Sequence, residues 1–212
     1  MIKHFTFNHF GVNCYLIVDE EAKQCAIVDP AAEASYEDAQ IAQFISNQGL
    51  TISHILLTHA HVDHIAGLRQ CCERFKLPVE MHADGKRLLR QAEAYGSIMG
   101  FMVENMSDLE TIDINDGDII KVGDIEIQCL FVPGHCPGSI CFVIPSEKAV
   151  ITGDALFQGS IGRTDLPGGN HQQLIDNLMQ KVMTLPDDYL ILPGHGEYST
   201  IADEKNYNPF LS

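Results

Sequence analysis

Residues 57–67 read LTHAHVDHIAG, where an apolar run containing Ile52, Ile55, Leu56 and Leu57 stops in three histidines and an aspartate within six positions. Imidazoles and carboxylates crowded this closely form a donor set for divalent metal ions. His59 and His61 stand two apart, so in extended backbone both project to one side and can share an ion. Asp63 and His64 follow where the chain bends toward a helix, and they face a second ion.

Three further apolar runs end in the same manner. CLFV stops at Pro-Gly-His135, AVIT at Gly-Asp154, and YLIL at Pro-Gly-His195. A single case carries no information, but four place the ends of buried strands on a common rim. His135 then completes the first site and His195 the second, while Asp154, with two oxygens, bridges them. The result is three histidines plus an aspartate beside two histidines plus two aspartates, with no thiolate among the ligands. Such nitrogen and oxygen ligation suits two divalent ions, with zinc expected and iron or manganese also accepted. A water shared by two such ions about 3.5–4 Å apart loses a proton near neutral pH and becomes a nucleophile. No serine or cysteine nucleophile is needed; Asp63 and Asp154 are the catalytic candidates, Asp63 as the group that orients the attacking water.

The other five histidines, His4, His9, His54, His82 and His171, lack this spacing and are read as surface or hydrogen-bonded residues. Cys136 adjoins His135 but is read as a packed small residue rather than a redox or metal-tuning thiol. Asp29, ending a strand before Pro30, is either a turn residue or an acceptor that orients a ligand histidine.

These groups must be positioned by secondary structure, and the hydrophobic periods supply it. VNCYLIV (12–18) and CAIVD (25–29) read as a β-hairpin, 36–47 as a helix stopped by Gly49, and 52–57 as a buried strand. Ile65, Leu68, Cys72 and Phe75 share a helical face, Pro78–Met81 is a short strand, and a helix runs near 86–95. The stretch 96–107, with Met99, Phe101, Met102 and Met106, reads either as a mobile apolar flap or as core, and core is the expectation. IIKV and IEIQCLFV flank a Gly123-Asp124 hairpin turn, followed by ICFVI and AVIT. A helix over 171–184, capped by Asn170 and buried through Leu174, Leu178 and Val182, precedes the strand YLIL. Hairpins mixed with αβ crossings suit a mixed sheet layered with helices better than a doubly wound parallel one.

At 212 residues without a linker-like or low-complexity stretch, the chain is expected to form one domain, 1–212. A formal charge of −16, with acidic residues dispersed, disfavours nucleic acid as a partner. An odd set of seven cysteines without a C-x-x-C spacing, and an N-terminus lacking a signal core, point to a reducing cytoplasm. No apolar run is long enough to span a membrane. The oligomeric state is not addressed by these features.

THAHVDH, PGH135, GD154 and PGH195, in this order, resemble the metallo-β-lactamase superfamily. The resemblance implies an α/β (α+β) fold, an αββα sandwich of two mixed sheets flanked by helices, with a binuclear site at one edge. GDALFQGSIGRTDLPGGN and the terminal NPFL are similar to glyoxalase II-like hydrolases, especially short single-domain bacterial forms. That likeness implies a thioesterase acting on small S-acyl thiols such as S-lactoylglutathione, with Arg163 and its loop flanking the substrate. Full-length glyoxalase II carries a helical C-terminal domain with glutathione contacts, whereas this chain stops shortly after His195, which leaves the thiol carrier open. Persulfide dioxygenases share the H-x-H-x-D-H run and a similar G-R-T-D segment, and use one iron that would here sit on His59, His135 and Asp154. They form the alternative, and a non-catalytic metal-binding protein is the third reading. His64 disfavours antibiotic hydrolysis, since many zinc β-lactamases lack histidine there.

Overall fold

The strand Val12–Asp19 is buried along its whole length, and its side chains divide strictly by parity. Cys14, Leu16 and Val18 pack in one apolar cluster and Tyr15 and Ile17 in another, as the period of two requires of a strand covered on both faces. The computed structural model describes residues 1–211 and is built around this arrangement.

The first sheet runs in chain order: β1 (Ile2–Phe7), β2 (Val12–Asp19), β3 (Gln24–Val28), β4 (Thr51–Leu56), β5 (Val79–Met81) and β6 (Thr111–Asp113). Its first two pairings are antiparallel and the rest parallel. The second sheet contains β7 (Ile119–Val122), β8 (Ile125–Phe131), β9 (Ile140–Ile144) and β10 (Ala149–Gly153). A small hairpin of β11 (Leu156–Phe157) and β12 (Ser160–Ile161) intervenes before β13 (Leu190–Pro193) and β14 (Ser199–Thr200), giving the spatial order β14-β13-β10-β9-β8-β7. Only β10 and β13 are parallel there.

Helices α1 (Ser35–Gln48), α2 (Leu68–Phe75) and α3 (Lys86–Met99) cover the outer face of the first sheet through Ile41, Ile45, Leu68, Cys71, Cys72 and Leu89. The inner faces meet through Tyr15, Ile17, Val28 and Leu56 against Ile127, Phe142, Ile151 and Leu192. The outer face of the second sheet lies under α4 (His171–Asn177), a π-helical turn at Leu178–Val182, and α5 (Ile201–Tyr207). This is the expected αββα sandwich of two mixed sheets flanked by helices.

The long elements lie where their periodicity places them, and Asn170 caps α4 by accepting from the Gln173 N–H. Several details differ. Residues 62–67 form turns, so α2 begins at Leu68 rather than Ile65, because the chain must first present Asp63 and His64. The helix near 86–95 continues to Met99 and ends at Gly100 in the left-handed region. Phe101 and Met106 are buried, but Met102 is 93% exposed and Met99 is also exposed, so the expectation of core holds for only part of this stretch. All seven cysteines are free and buried, in keeping with their reading as small core residues. Among the described residues, no helix is long and apolar enough to cross a membrane.

One inter-sheet contact is pH-sensitive. His54 on β4 sets Nδ1 2.5 Å from Glu80 Oε1 and donates from Nε2 to the carbonyl of Lys121 on β7, 3.0 Å away. Using both nitrogens as donors requires the imidazolium, and the Glu80 bond raises the His54 pKa over the opposing effect of burial. A raised folded-state pKa stabilises fully below the unfolded value of 6.5 and ceases to do so as pH climbs through the folded value. The melting-temperature advantage of wild type over His54→Gln should therefore be largest near pH 6, at about 2–4 °C, and fade as the solution is made alkaline.

Candidate metal centre

Four strand ends deliver the polar groups. β4 runs out through Leu57 and Thr58 to His59, β8 through Pro133 and Gly134 to His135, β10 into Asp154, and β13 through Gly194 to His195. The two sheets are stitched here: Ile140 N donates to Thr58 O (2.8 Å), and Asn13 N donates to Gly194 O (2.7 Å). Asn13 Nδ2 also donates to the carbonyls of Pro193 and Gly196, and the Tyr15 hydroxyl to that of Pro193. The β2 strand thus holds the His195 loop of the opposite sheet.

All seven residues singled out by sequence spacing converge. His61 Nδ1 lies 2.9 Å from His135 Nε2, and the His59 ring adjoins both. His64 Nε2 and His195 Nε2 are 3.3 Å apart, with Asp63 Oδ2 3.2 Å from His195 Nε2. Asp154 lies between the groups: Oδ1 is 3.2 Å from His64 Nε2, and Oδ2 is 3.6 Å from His195 Nε2 and 3.7 Å from His135 Nε2. A tetrahedral ion with bonds of about 2.05 Å spaces its ligand atoms about 3.3 Å apart, so these separations fit donors gathered around shared ions.

The tautomers support the same fit. Thr58 Oγ1 donates its proton to Asp29 Oδ2 (2.6 Å), so it accepts Nδ1–H of His59 (3.0 Å), leaving His59 Nε2 as a bare lone pair. That Nε2 and Asp154 Oδ1 are buried side-chain polar atoms without a hydrogen-bond partner. Unsatisfied buried atoms are costly in an ordinary core, and a bound cation removes the cost. His64 donates from Nδ1 to Asp29 (2.9 Å), His135 from Nδ1 to the carbonyl of Arg163 (2.8 Å), and His195 from Nδ1 to that of Phe10 (3.1 Å). In each case Nε2 is turned toward the centre.

Electrostatics divides the cluster in two. Burial and then neighbouring imidazoles push His59 well below its usual pKa; burial and His135 bring His61 to about 4, and burial lowers His135. These three are neutral donors. For His64 and His195 burial opposes protonation, but Asp154 and Asp63 prevail and raise both. Asp63 and Asp154 remain ionised despite burial because His64 and His195 face them.

Sequence reasoning left Asp29 between two roles, and the structure gives it both. It adopts φ +52° and accepts from Thr58 N, Thr58 Oγ1 and His64 Nδ1. Thr58, Asn8, Asn13, Tyr15 and the carbonyls of Phe10 and Arg163 were missed. Thr58 had a usable signal, its place directly before the histidine run, but the others support the site through pairings distant in sequence. The Arg163 guanidinium is exposed and bonded to Asp165 at 2.8 Å through two nitrogens. Cys136 is buried beside the first group, within 4.8 Å of ligand atoms of His59, His61 and His135, and its thiol contacts Ser139 Oγ at 3.3 Å.

Gly194 is required by close approach. A Cβ there would lie 2.4 Å from Asp154 Oδ1 and 2.7 Å from His64 Cε1. Gly194→Ala should displace Asp154 and weaken divalent-ion binding about 10- to 100-fold, measured by competition with a chromophoric chelator.

The fold and this His/Asp cluster at the edge of two facing sheets define a metal-dependent hydrolase of the αββα class. A family profile described as the metallo-beta-lactamase superfamily matches residues 8–195, and this chain belongs to that superfamily, whose members bind divalent metals. It is 39% identical to a probable metallo-hydrolase, YqgX, of Bacillus subtilis, over 94% of this chain and 92% of the relative. It is 37% identical to the hydroxyacylglutathione hydrolase GloC of Haemophilus influenzae, over 96% and 94%. Among solved structures it is similar to the B3 metallo-beta-lactamase BLEG-1 (30% identity, TM-score 0.89, all of both chains). TTHA1623 in a di-iron-bound form is also similar (32%, 0.87, 99% and 100%), as is ETHE1 from Myxococcus xanthus (30%, 0.81, 99% and 83%).

Proposed function

We propose that this chain hydrolyses small S-acyl thioesters such as S-lactoylglutathione, working with two divalent ions for which zinc is the expected metal and iron or manganese is compatible. His59, His61, His135 and Asp154 would hold one ion, and Asp63, His64, Asp154 and His195 the other. The observation that carries this reading is the buried, unpartnered pair His59 Nε2 and Asp154 Oδ1 at the meeting point of the two groups. The likeness to a hydroxyacylglutathione hydrolase supports the substrate class.

When bound, the ions supply Lewis acidity toward the thioester carbonyl and a water acidic enough to react near neutral pH. The chain's own residues do the rest. The Asp63 carboxylate orients the attacking water by accepting its hydrogen bond, and Asp154 fixes the spacing of the two groups. Asp29 and Thr58 keep the His59 and His64 tautomers from changing during turnover. The leaving thiolate is the base of a comparatively strong acid, so no protein acid is required at the sulfur. Arg163, whose carbonyl orients His135, is assigned to substrate contact through its exposed guanidinium. The partner is a small thioester rather than nucleic acid or membrane, the compartment is a reducing cytoplasm, and residues 1–212 act as one domain.

The likeness to ETHE1 favours a second reading, persulfide dioxygenation with a single iron on His59, His135 and Asp154. Elemental analysis of protein purified without a chelating tag, run beside thiol release from S-lactoylglutathione and oxygen uptake with glutathione persulfide, separates them. About two ions per chain with thiol release and no oxygen uptake is the expected result. One iron with oxygen consumption would assign the chain to the second reading, and neither activity would remove the first.

A further inference from the structure

The turn joining β1 to β2, residues 8–11, touches both halves of the second group. Asn8 Nδ2 donates to the main-chain carbonyl of Asp63 (2.9 Å) and to that of Ala31 (3.0 Å). Asn8 Oδ1 accepts from Phe10 N (2.9 Å), and the Phe10 carbonyl in turn receives Nδ1–H of His195 (3.1 Å). The Asn8 N–H is itself fixed on the buried carboxylate of Glu37 (2.8 Å), which also caps α1 through the N–H groups of Glu33 and Ala34. Asp63 follows a strand of the first sheet and His195 a strand of the second, so one carboxamide braces groups that arrive from opposite sheets. The first group leans on different supports, Thr58 and the Arg163 carbonyl.

We propose that Asn8 is a positioning residue for the second metal position, setting the main chain at Asp63 and the carbonyl that orients His195. The proposal rests on the two-ion reading above. Its physical basis is that ligands must be held within about 0.5 Å of productive geometry, and that losing an orienting partner costs about 10- to 100-fold in metal affinity. The effect should be confined to one ion, because no bond of Asn8 reaches His59, His61 or His135.

A rival explanation is that Asn8 serves only its backbone, which has φ +52°. Asparagine, aspartate and glycine all tolerate that region, which makes the two roles separable. Asn8→Asp keeps the conformation and the acceptor for Phe10 N but has no Nδ2–H for Asp63 and Ala31. Asn8→Gly keeps the conformation and removes the side chain.

The test is titration of metal-free wild type, Asn8→Asp and Asn8→Gly with Zn(II), using a chromophoric chelator as competitor, repeated with Co(II) for its absorption spectrum, with melting temperatures of the metal-free proteins alongside. In wild type two ions are expected. In both variants the first ion should bind within about twofold of wild type and the second about 10- to 100-fold more weakly, with metal-free melting temperatures close to wild type. Two ions bound with wild-type affinity in both variants would overturn the proposal, as would equal weakening of both ions together with a collapse of the metal-free melting temperature. Wild type taking up only one ion would instead overturn the two-ion reading, and this proposal with it.

Discussion

Asp154→Ala is expected to lower thioester turnover by about 10³-fold or more while leaving the secondary structure of the protein intact. Asp154 lies within 4 Å of histidines from both groups: His64 and His195 on one side, His135 on the other. On the proposed two-ion reading, its removal takes one donor from each ion and the carboxylate shared between them. Metal-assisted catalysis lowers the barrier by several kcal/mol, and each ~1.4 kcal/mol lost is tenfold in rate. Because the carboxylate approaches His64, His195 and His135, the variant should show lower metal content as well as lower rate. Turnover of S-lactoylglutathione, metal per chain and the melting temperature of the metal-free protein, measured together, check this. A protein that kept its activity but melted much earlier would show that the cluster is structural.

The second large effect belongs to Asp29, which contacts no substrate in the reading above. Its carboxylate is 1% exposed and accepts three hydrogen bonds, from Thr58 N, Thr58 Oγ1 and His64 Nδ1. Asp29→Ala strips three buried donors of their partner at once, which costs about 3–5 kcal/mol. For a chain of this size that is a fall in melting temperature of about 10 °C. The same substitution frees Thr58 to rotate, and with it the His59 tautomer, so metal binding should weaken at both positions instead of one. Asn is tolerated at the observed φ of +52° and retains one acceptor oxygen, so Asp29→Asn should recover part of the stability. Equal losses in the two variants would show that the charge, and not the hydrogen-bond count, is what matters.

The site and the fold share residues. Asp29 directly follows β3, and the parallel pairing of β3 with β4 brings it beside Thr58, one residue before His59. Glu37 caps α1 and also fixes the turn that reaches Asp63. A helix cap, a strand end and a hairpin turn are ordinary devices of local structure, yet here each also aligns a donor.

The sequence by itself was enough to single out the seven side chains that the fold brings together. Four buried apolar runs that each end in an imidazole or carboxylate are a pattern legible along the chain, although His59 and His61 lie beyond the end of β4 and are brought to one side by the loop that follows it. It was also enough for most of the long elements, since the apolar period of α1, α3 and the turns around Leu174 and Leu178 is a local property of the chain. It misplaced the start of α2, because the preference of Ile65 for a helical face is overridden by the geometry that Asp63 and His64 need. It also misread Met99 and Met102 as core, since composition does not tell which side of a helix end faces solvent.

What only the tertiary structure decided is the set of supports: Asn8 on Asp63, Phe10 on His195, Asn13 and Tyr15 on the loop of Pro193 to Gly196, and the Arg163 carbonyl on His135. The physical reason is that each of these bonds ends on a main-chain carbonyl, of a segment up to 185 residues away, and carbonyls are identical at every position of the sequence until folding brings a side chain to one of them. Ligand chemistry resides in side-chain types and can be read along the chain, whereas the orientation of those ligands resides in the backbone and appears only when the two sheets close on each other.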